Sequence, residues 1–154
     1  MDRRMLGSWL SGPRSFAEAT GTSLGYPGER LGLPLEGRNS VAGFGRRLAA
    51  TTIDWIIASM IAKGLAQHPS AVQQVFLTPA VFAVLNVALV ATIGAGFGGR
   101  LLGIRVARVD GSNPPLVSVI QRTFLMCLAV PALIWDRDGR GVHDRFARCV
   151  VVQR

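Results

Sequence analysis

The sequence predicts a mainly α-helical membrane protein with two transmembrane helices, a third transmembrane or re-entrant apolar helix, and a small β element at the cytoplasmic surface. Two observations lead to this fold class. The chain has 154 residues, of which 49% are apolar, and a mean hydropathy of +0.35 despite a formal charge of +8. Its arginines cluster outside the apolar blocks, as in membrane proteins whose basic flanks face the anionic headgroups of a lipid bilayer. A nucleic-acid binder would spread these cations over a polar face, so no nucleic-acid partner is expected.

The first predicted span covers about residues 48–66 and contains a carboxylate, Asp54, behind the paired arginines Arg46 and Arg47. In a helix, the seven positions from Arg47 to Asp54 make almost two turns, so both side chains project from nearly the same face, about 10 Å apart. A charge at that depth in lipid costs at least about 2.5 kcal/mol. Asp54 is therefore expected to be paired, neutral or functional.

The second predicted span covers about residues 75–97 and has no charged side chain. It is long enough to cross a hydrocarbon core of about 30 Å. Small residues at every fourth position predict close packing against another helix: Ala88, Thr92 and Gly96. The glycine-rich run that begins at Gly94 is expected to end the helix and allow close packing, because no strand precedes it as in a phosphate-binding loop.

The third apolar segment, about residues 116–135, is interrupted by Arg122 and Pro131. The arginine-rich flank of the first span places the N-terminus in the cytoplasm, so the second span returns there. A third complete crossing would leave the C-terminal arginines outside, against the same charge rule, whereas a re-entrant segment would keep them inside. Charge favours re-entry and overall apolarity favours crossing, and both remain open from the sequence.

The ends of the chain carry two further signals. Residues 1–40 are dense in glycine and proline, which predicts a flexible cytoplasmic arm. Residues 102–109 alternate apolar and arginine side chains, and residues 149–152 are rich in β-branched side chains. These two stretches are expected to pair in the small β element.

Three blocks occur in order around the two spans: GRRLAATTID at 45–54, GGRLLGIRV at 98–106, and RGVHDRFA at 140–147 followed by VVV at 150–152. Together they resemble the RDD family of small bacterial integral membrane proteins, in an actinobacterial-type form, over about residues 41–152. Residues 153–154 then form a short tail.

The RDD family is named for one arginine and two aspartates. The resemblance places the arginine on Arg46 or Arg47 and the aspartates on Asp54 and Asp144. Relatives commonly carry a lysine where Gly99 stands here, so a role tied to that lysine does not transfer. The resemblance also implies a multi-pass protein of the bacterial cell membrane, and a transport role is suspected for the family, with ion–proton exchange reported for some members.

The sequence gives little evidence for a metal site, a disulfide or a catalytic site. The acidic cluster around Asp144, which includes Asp136, Asp138 and His143, lacks the later ligands of a calcium loop and the thiolates of a usual zinc site. Cys127 and Cys149 give no disulfide framework. No nucleophile with a matching base is evident, so no enzyme activity, cofactor or metal is expected. Asp144 is also placed to cap a short helix over residues 145–148 and to dock it beneath the spans.

Two function classes follow from the two interpretations of Asp54. In the first, Asp54 pairs with Arg47, Arg122 or Asn86 and fixes the packing of an accessory or structural membrane component, within a homo-oligomer or a larger membrane complex. In the second, Asp54 alternates between protonated and cation-bound forms in an oligomeric cation or proton transporter. Since two spans enclose no pathway alone, structural pairing is the leading hypothesis.

Overall fold

The computed structural model describes residues 25–66, 70–128 and 140–154. Within these ranges a 3-10 turn, Glu29–Leu31, is followed by five α-helices and two β-strands, in this order: α1 Phe44–Leu65, α2 Ala71–Ile93, α3 Phe97–Leu101, β1 Ile104–Arg108, α4 Leu116–Cys127, α5 Val142–Phe146 and β2 Cys149–Gln153. The mainly helical prediction with a small β element is confirmed.

Helices α1 and α2 form an antiparallel hairpin and are both long and apolar enough to cross a membrane. They contain 22 and 23 residues, which correspond to about 33 and 35 Å of helix. Ser70 starts α2 with a capping box, since its hydroxyl accepts from the Gln73 N–H and the Gln73 side chain accepts from the Ser70 N–H. The two predicted apolar helices are thus confirmed.

Helix α2 ends earlier than predicted. Gly94 has a left-handed φ of 77° and donates its N–H to the Val90 carbonyl, which terminates the helix at Ile93. The expected span to residue 97 was therefore wrong at its C-terminal end, and so was the single stripe of small residues. Ala88 and Thr92 are exposed on α2, whereas Gly96 lies beyond the helix and is buried.

The two strands pair antiparallel, with Val106 opposite Val151, so the predicted pairing of these stretches is confirmed. On the other edge of β2, Val41 forms a bridge with Val152. Residue Gly94 is tied to the same sheet, because its carbonyl accepts from the Val106 N–H at 2.7 Å. The sheet therefore gathers the residues before α1 and those after α2 at one end of the helical hairpin.

Within residues 25–40, the described part of the predicted flexible arm, a few side chains pack on this sheet. Leu31 and Leu33 lie with Val41 against a small apolar cluster of the two strands: Ala107, Val150 and Val152. Burial of these side chains stabilises the contact between this segment and the sheet. The flexibility of the arm stays a prediction, and residues 1–24 lie outside the described residues.

Helix α4 covers the first half of the third apolar segment, and residues 129–135 of that segment lie outside the described residues. Its 12 residues span about 18 Å, less than a hydrocarbon core of about 30 Å. One face buries Val119, Arg122 and Thr123. The opposite face exposes large apolar side chains: Leu116, Val117, Ile120, Phe124 and, just beyond the helix, Leu128. The polar side of α4 therefore faces the protein and its apolar side faces outward.

Candidate functional site

Asp144 of α5 is fully buried and binds two arginines from two other helices. Its Oδ2 accepts a hydrogen bond from Nη2 of Arg47 in α1, and its Oδ1 accepts one from Nε of Arg122 in α4 at 2.6 Å. Nε2 of the neighbouring His143 lies 3.3 Å from Oδ1. One carboxylate thus joins α1, α4 and α5, and we call Arg47, Arg122 and Asp144 the polar core.

The helices that carry Arg47, Arg122 and Asp144 determine where these side chains lie. Arg47 lies in the first turn of α1, next to the sheet, while Arg122 shares the buried face of α4 with Val119 and Thr123. Helix α5 begins after Gly141 and contains Asp144 in its first turn, so the expected cap of a helix over residues 145–148 was wrong. Asp144 instead docks α5 through its side chain.

Electrostatics keep Asp144 ionised. Burial alone would raise the pKa of this carboxyl, but the positive charges of Arg122 and Arg47 outweigh burial and hold the pKa at about 2. At neutral pH two guanidinium groups therefore surround one carboxylate. Removing a single partner from such a buried group leaves an uncompensated charge, which typically costs 3–5 kcal/mol.

Asp54 has a different partner from those expected. Its Oδ1 accepts from the backbone N–H of Gly98 at 2.8 Å, at the start of α3. Arg47, one of its predicted partners, binds Asp144 instead, although Arg122 still contributes an attractive charge to Asp54. The α1 side chain therefore caps α3 across the interface between the two helices.

Two glycines make this contact between α1 and α3 possible. A Cβ at Gly96 would overlap the Asp54 carboxylate, and a Cβ at Gly98 would overlap the carbonyl oxygen of Ala50 in α1. Both positions are buried. The expected close packing of the glycine-rich run is therefore found, but against α1 and through the short helix α3.

Asn86, near the middle of α2, lies beside the polar core. Its Oδ1 lies 3.4 Å from the Thr123 hydroxyl, whose single proton is shared with the closer Val119 carbonyl at 2.8 Å. The hydrogen-bond partner of Asn86 is therefore on α4 and is not Asp54. A cavity of about 120 Å³ lies next to these residues, and seven of its lining side chains are polar or charged: Arg47, Thr51, Asp54, Asn86, Arg105, Arg122 and His143.

The region that contains the polar core also matches a known protein family. A family model described as the RDD family matches residues 41–148. The chain belongs to the RDD family. No curated protein and no solved structure matches it.

In this RDD protein, the residues that the resemblance assigns to the family's arginine and aspartates lie around one site. Arg47 and Asp144 are in direct contact, and Asp54 follows Arg47 on α1 and lines the same cavity. Arg46, the other candidate arginine, is exposed and donates to the Gln153 side chain at 2.8 Å, at the end of β2. The structure therefore separates the paired arginines into a buried one and a surface one.

The described part of this RDD protein contains no candidate metal-binding site. Residues 25–66, 70–128 and 140–154 contain no group of three or more His, Cys, Asp or Glu side chains that could hold a metal ion. Asp136 and Asp138 lie outside those ranges. Within them, the arrangement provides ion pairs, helix docking and a polar cavity.

Proposed function

We propose that this RDD protein is a two-span integral protein of the bacterial cell membrane that acts as an accessory or structural component without catalysis. The observation that carries the proposal is the distribution of polarity. Large apolar side chains are exposed along the outer surfaces of the helices, while several charged and polar side chains are buried beside the apolar core. Extensive exposed apolar surface together with buried charges is unusual for a protein that folds in water.

The outer surfaces of α1 and α2 support placement in lipid. Only 17% of each candidate span is buried within the protein, although the core helix of a water-soluble protein is mostly buried. Met60 on α1 is 68% exposed and Phe76 on α2 is 70% exposed. Contiguous apolar surface of this kind marks a membrane or protein contact. Ala88 and Thr92 on α2 add small exposed residues against which a partner helix could pack closely.

The sheet supports a re-entrant third segment. Strand β1 precedes α4, and β2, which follows α5, pairs with β1, so the described chain on both sides of residues 129–139 is connected to the same sheet. Two complete crossings would need roughly 40 residues, far more than this segment contains. A segment that enters from the sheet side, exposes the apolar face of α4 to lipid and returns fits both constraints.

Charge orients the protein with the sheet in the cytoplasm. Exposed arginines cluster at the sheet end: Arg38, Arg46, Arg100, Arg145, Arg148 and Arg154. At the opposite end of the hairpin, the described residues include one exposed basic side chain, Lys63. The excess of arginine belongs on the cytoplasmic side, where anionic lipid headgroups attract it.

Two measurements on the full chain test this proposal. Alkaline carbonate should leave the protein in the membrane fraction, as expected for spanning helices. In a variant with both native cysteines replaced, a membrane-impermeant thiol reagent should label His68→Cys in whole cells, but should label Ser112→Cys and Arg154→Cys only after lysis. Extraction by carbonate would refute the membrane placement, and external labelling at position 154 would refute the re-entrant topology.

The second candidate is an oligomeric cation or proton transporter, which the presence of Asp54 in the cavity wall supports. Reconstituted wild-type protein would then carry a cation or proton flux that Asp54→Asn abolishes without a change in oligomeric state. Absence of flux in wild-type vesicles would exclude this candidate and leave the accessory role. Purification in mild detergent provides the complementary test, because a stoichiometric foreign subunit favours the accessory role.

A further inference from the structure

The cavity beside the polar core is lined by hydrogen-bond donors that the described fold does not use. Arg122 uses Nε for Asp144, and its Nη1 and Nη2 make no hydrogen bond within residues 25–66, 70–128 and 140–154. Asn86 accepts from Thr123 through Oδ1, and its Nδ2 has no acceptor in the same ranges. Both side chains line the cavity, at 7% and 5% exposure. These donors border the cavity, so they can reach the acceptor atoms of a ligand bound there.

The charge of the cavity favours an anion. Its described lining includes one aspartate, Asp54, and three arginines: Arg47, Arg105 and Arg122. Two of these arginines, Arg47 and Arg122, form ion pairs with Asp144. The carboxylate of Asp54 is turned toward α3, where the Gly98 N–H binds it. The positive groups therefore exceed the negative ones, and the negative charge of Asp54 is held at the α3 contact.

We infer that this cavity binds a phosphate oxyanion through the Nη atoms of Arg122 and Nδ2 of Asn86. A planar guanidinium with two available N–H groups matches two phosphate oxygens, and the amide supplies a further donor. A volume of about 120 Å³ exceeds the 10–15 Å³ that one water molecule needs, so a tetrahedral anion fits.

Two sources of this chemistry fit the position of the cavity. Phe44 and Leu48, at the sheet end of α1, belong to its wall and are exposed, so the wall reaches the surface of the domain there. In the proposed orientation this is the depth of the cytoplasmic headgroups, from which a lipid phosphate could enter. Inorganic phosphate from the cytoplasm presents the same oxygens. The lipid source rests on the proposed membrane placement, whereas the free-anion source does not.

The test measures ligand-induced thermal stabilisation of the purified full chain in an uncharged detergent. Sodium phosphate is compared with sodium chloride at equal ionic strength, and dioctanoylphosphatidylglycerol is compared with dioctanoylglycerol, which has no phosphate. At a ligand concentration about 100 times Kd, we expect Tm to rise by about 5 °C or more. A rise with phosphate alone identifies the free anion, and a rise with the phospholipid alone identifies the headgroup.

Two variants locate the binding. Asn86→Asp replaces the amide donor with a carboxylate and should weaken binding at least about tenfold. Arg122→Lys keeps a positive charge beside Asp144 but removes the paired N–H groups, and it should also weaken binding, so it decides the matter if Asn86→Asp does not fold. Asn113→Asp introduces the same charge at an exposed loop position and should leave the affinity unchanged.

Three results would overturn the inference: no Tm rise with either phosphate ligand, an equal rise with chloride, or undiminished binding in Arg122→Lys and in folded Asn86→Asp. These results are distinct from a failure of the proposed function. Extraction by carbonate together with phosphate binding would refute the membrane placement and retain the site. Retention in the membrane without any phosphate effect would refute the phosphate site and leave the membrane placement standing.

Discussion

Arg47 and Asp144 lie 97 positions apart in the chain and form a buried ion pair. Arg122 binds the other oxygen of the same carboxylate. The pair connects α1 to α5, which lie near the two ends of the region that matches the family. Its stability should therefore control the stability of the domain.

Replacement of Asp144 by Asn should strongly destabilise the protein. The neutral amide removes the charged carboxylate that Arg47 and Arg122 share, and we expect a loss of about 3–5 kcal/mol in the free energy of unfolding. Denaturation of the purified protein in detergent measures this loss. Asp110→Asn is the matched control, since Asp110 is exposed beside Arg108 and its replacement should change stability far less. Equal effects of the two substitutions would contradict the structural role of the polar core.

Stability should also fall in strong acid. The folded pKa of Asp144 is about 2, below the ordinary value of 3.8, so the unfolded chain binds more protons in this range. The contribution of Asp144 is fully present above about pH 4 and is lost as the pH falls through about 2. Midpoints of chemical denaturation between pH 5 and pH 2 should show this decrease in the wild type. The decrease should be smaller in Asp144→Asn, and an identical pH profile in the two proteins would disprove the assignment.

The two adjacent glycines of α3 should differ in their tolerance of alanine. A Cβ at position 98 would overlap the Ala50 carbonyl oxygen, whereas a Cβ at position 99 would lie 3.4 Å from the Ala95 Cβ, at the edge of ordinary contact. Gly98→Ala should therefore cost about 1–3 kcal/mol, despite the higher helix propensity of alanine. Gly99→Ala should be close to neutral. Thermal melts of both variants compare them directly, and a larger loss for Gly99→Ala would contradict the described contact between α1 and α3.

Asp54 should tolerate an amide better than an aliphatic side chain. Asn at this position keeps an oxygen that can accept from the Gly98 N–H, whereas Leu leaves that donor without its partner. We expect Asp54→Leu to lose about 1.5–3 kcal/mol, as for a hydrogen bond to a charged group, and Asp54→Asn to lose less. Denaturation in detergent gives both values. Equal losses in the two variants would show that the charge, and not the hydrogen bond, is what this position supplies.

The sequence predicted those parts of the fold that depend on local pattern. Long apolar runs identified α1 and α2, and alternation with β-branched residues identified β1 and β2. The C-terminal end of α2 was missed by a few residues because the small residues after Gly94 continue the apolar run, and only the left-handed backbone of that glycine ends the helix.

The site was predicted in its membership but not in its pairing. Arg47, Asp54 and Arg122 are charges in apolar surroundings, so each could be recognised in the sequence. Which carboxylate meets which arginine depends on the docking of α5, a contact that no local spacing encodes. The partner of Asp54 is a backbone N–H, which carries no sequence signal except the glycines that permit the approach.

The order of synthesis gives the polar core a further consequence. The ribosome makes Arg47 first, Arg122 later and Asp144 after both, and β2 emerges only after β1. Until the carboxylate arrives, both cations have entered the nascent domain without their counter-ion. Neutralisation of the interior is therefore a late event of biogenesis, and nascent chains stalled before α5 would present uncompensated arginines to the quality-control machinery of the cell.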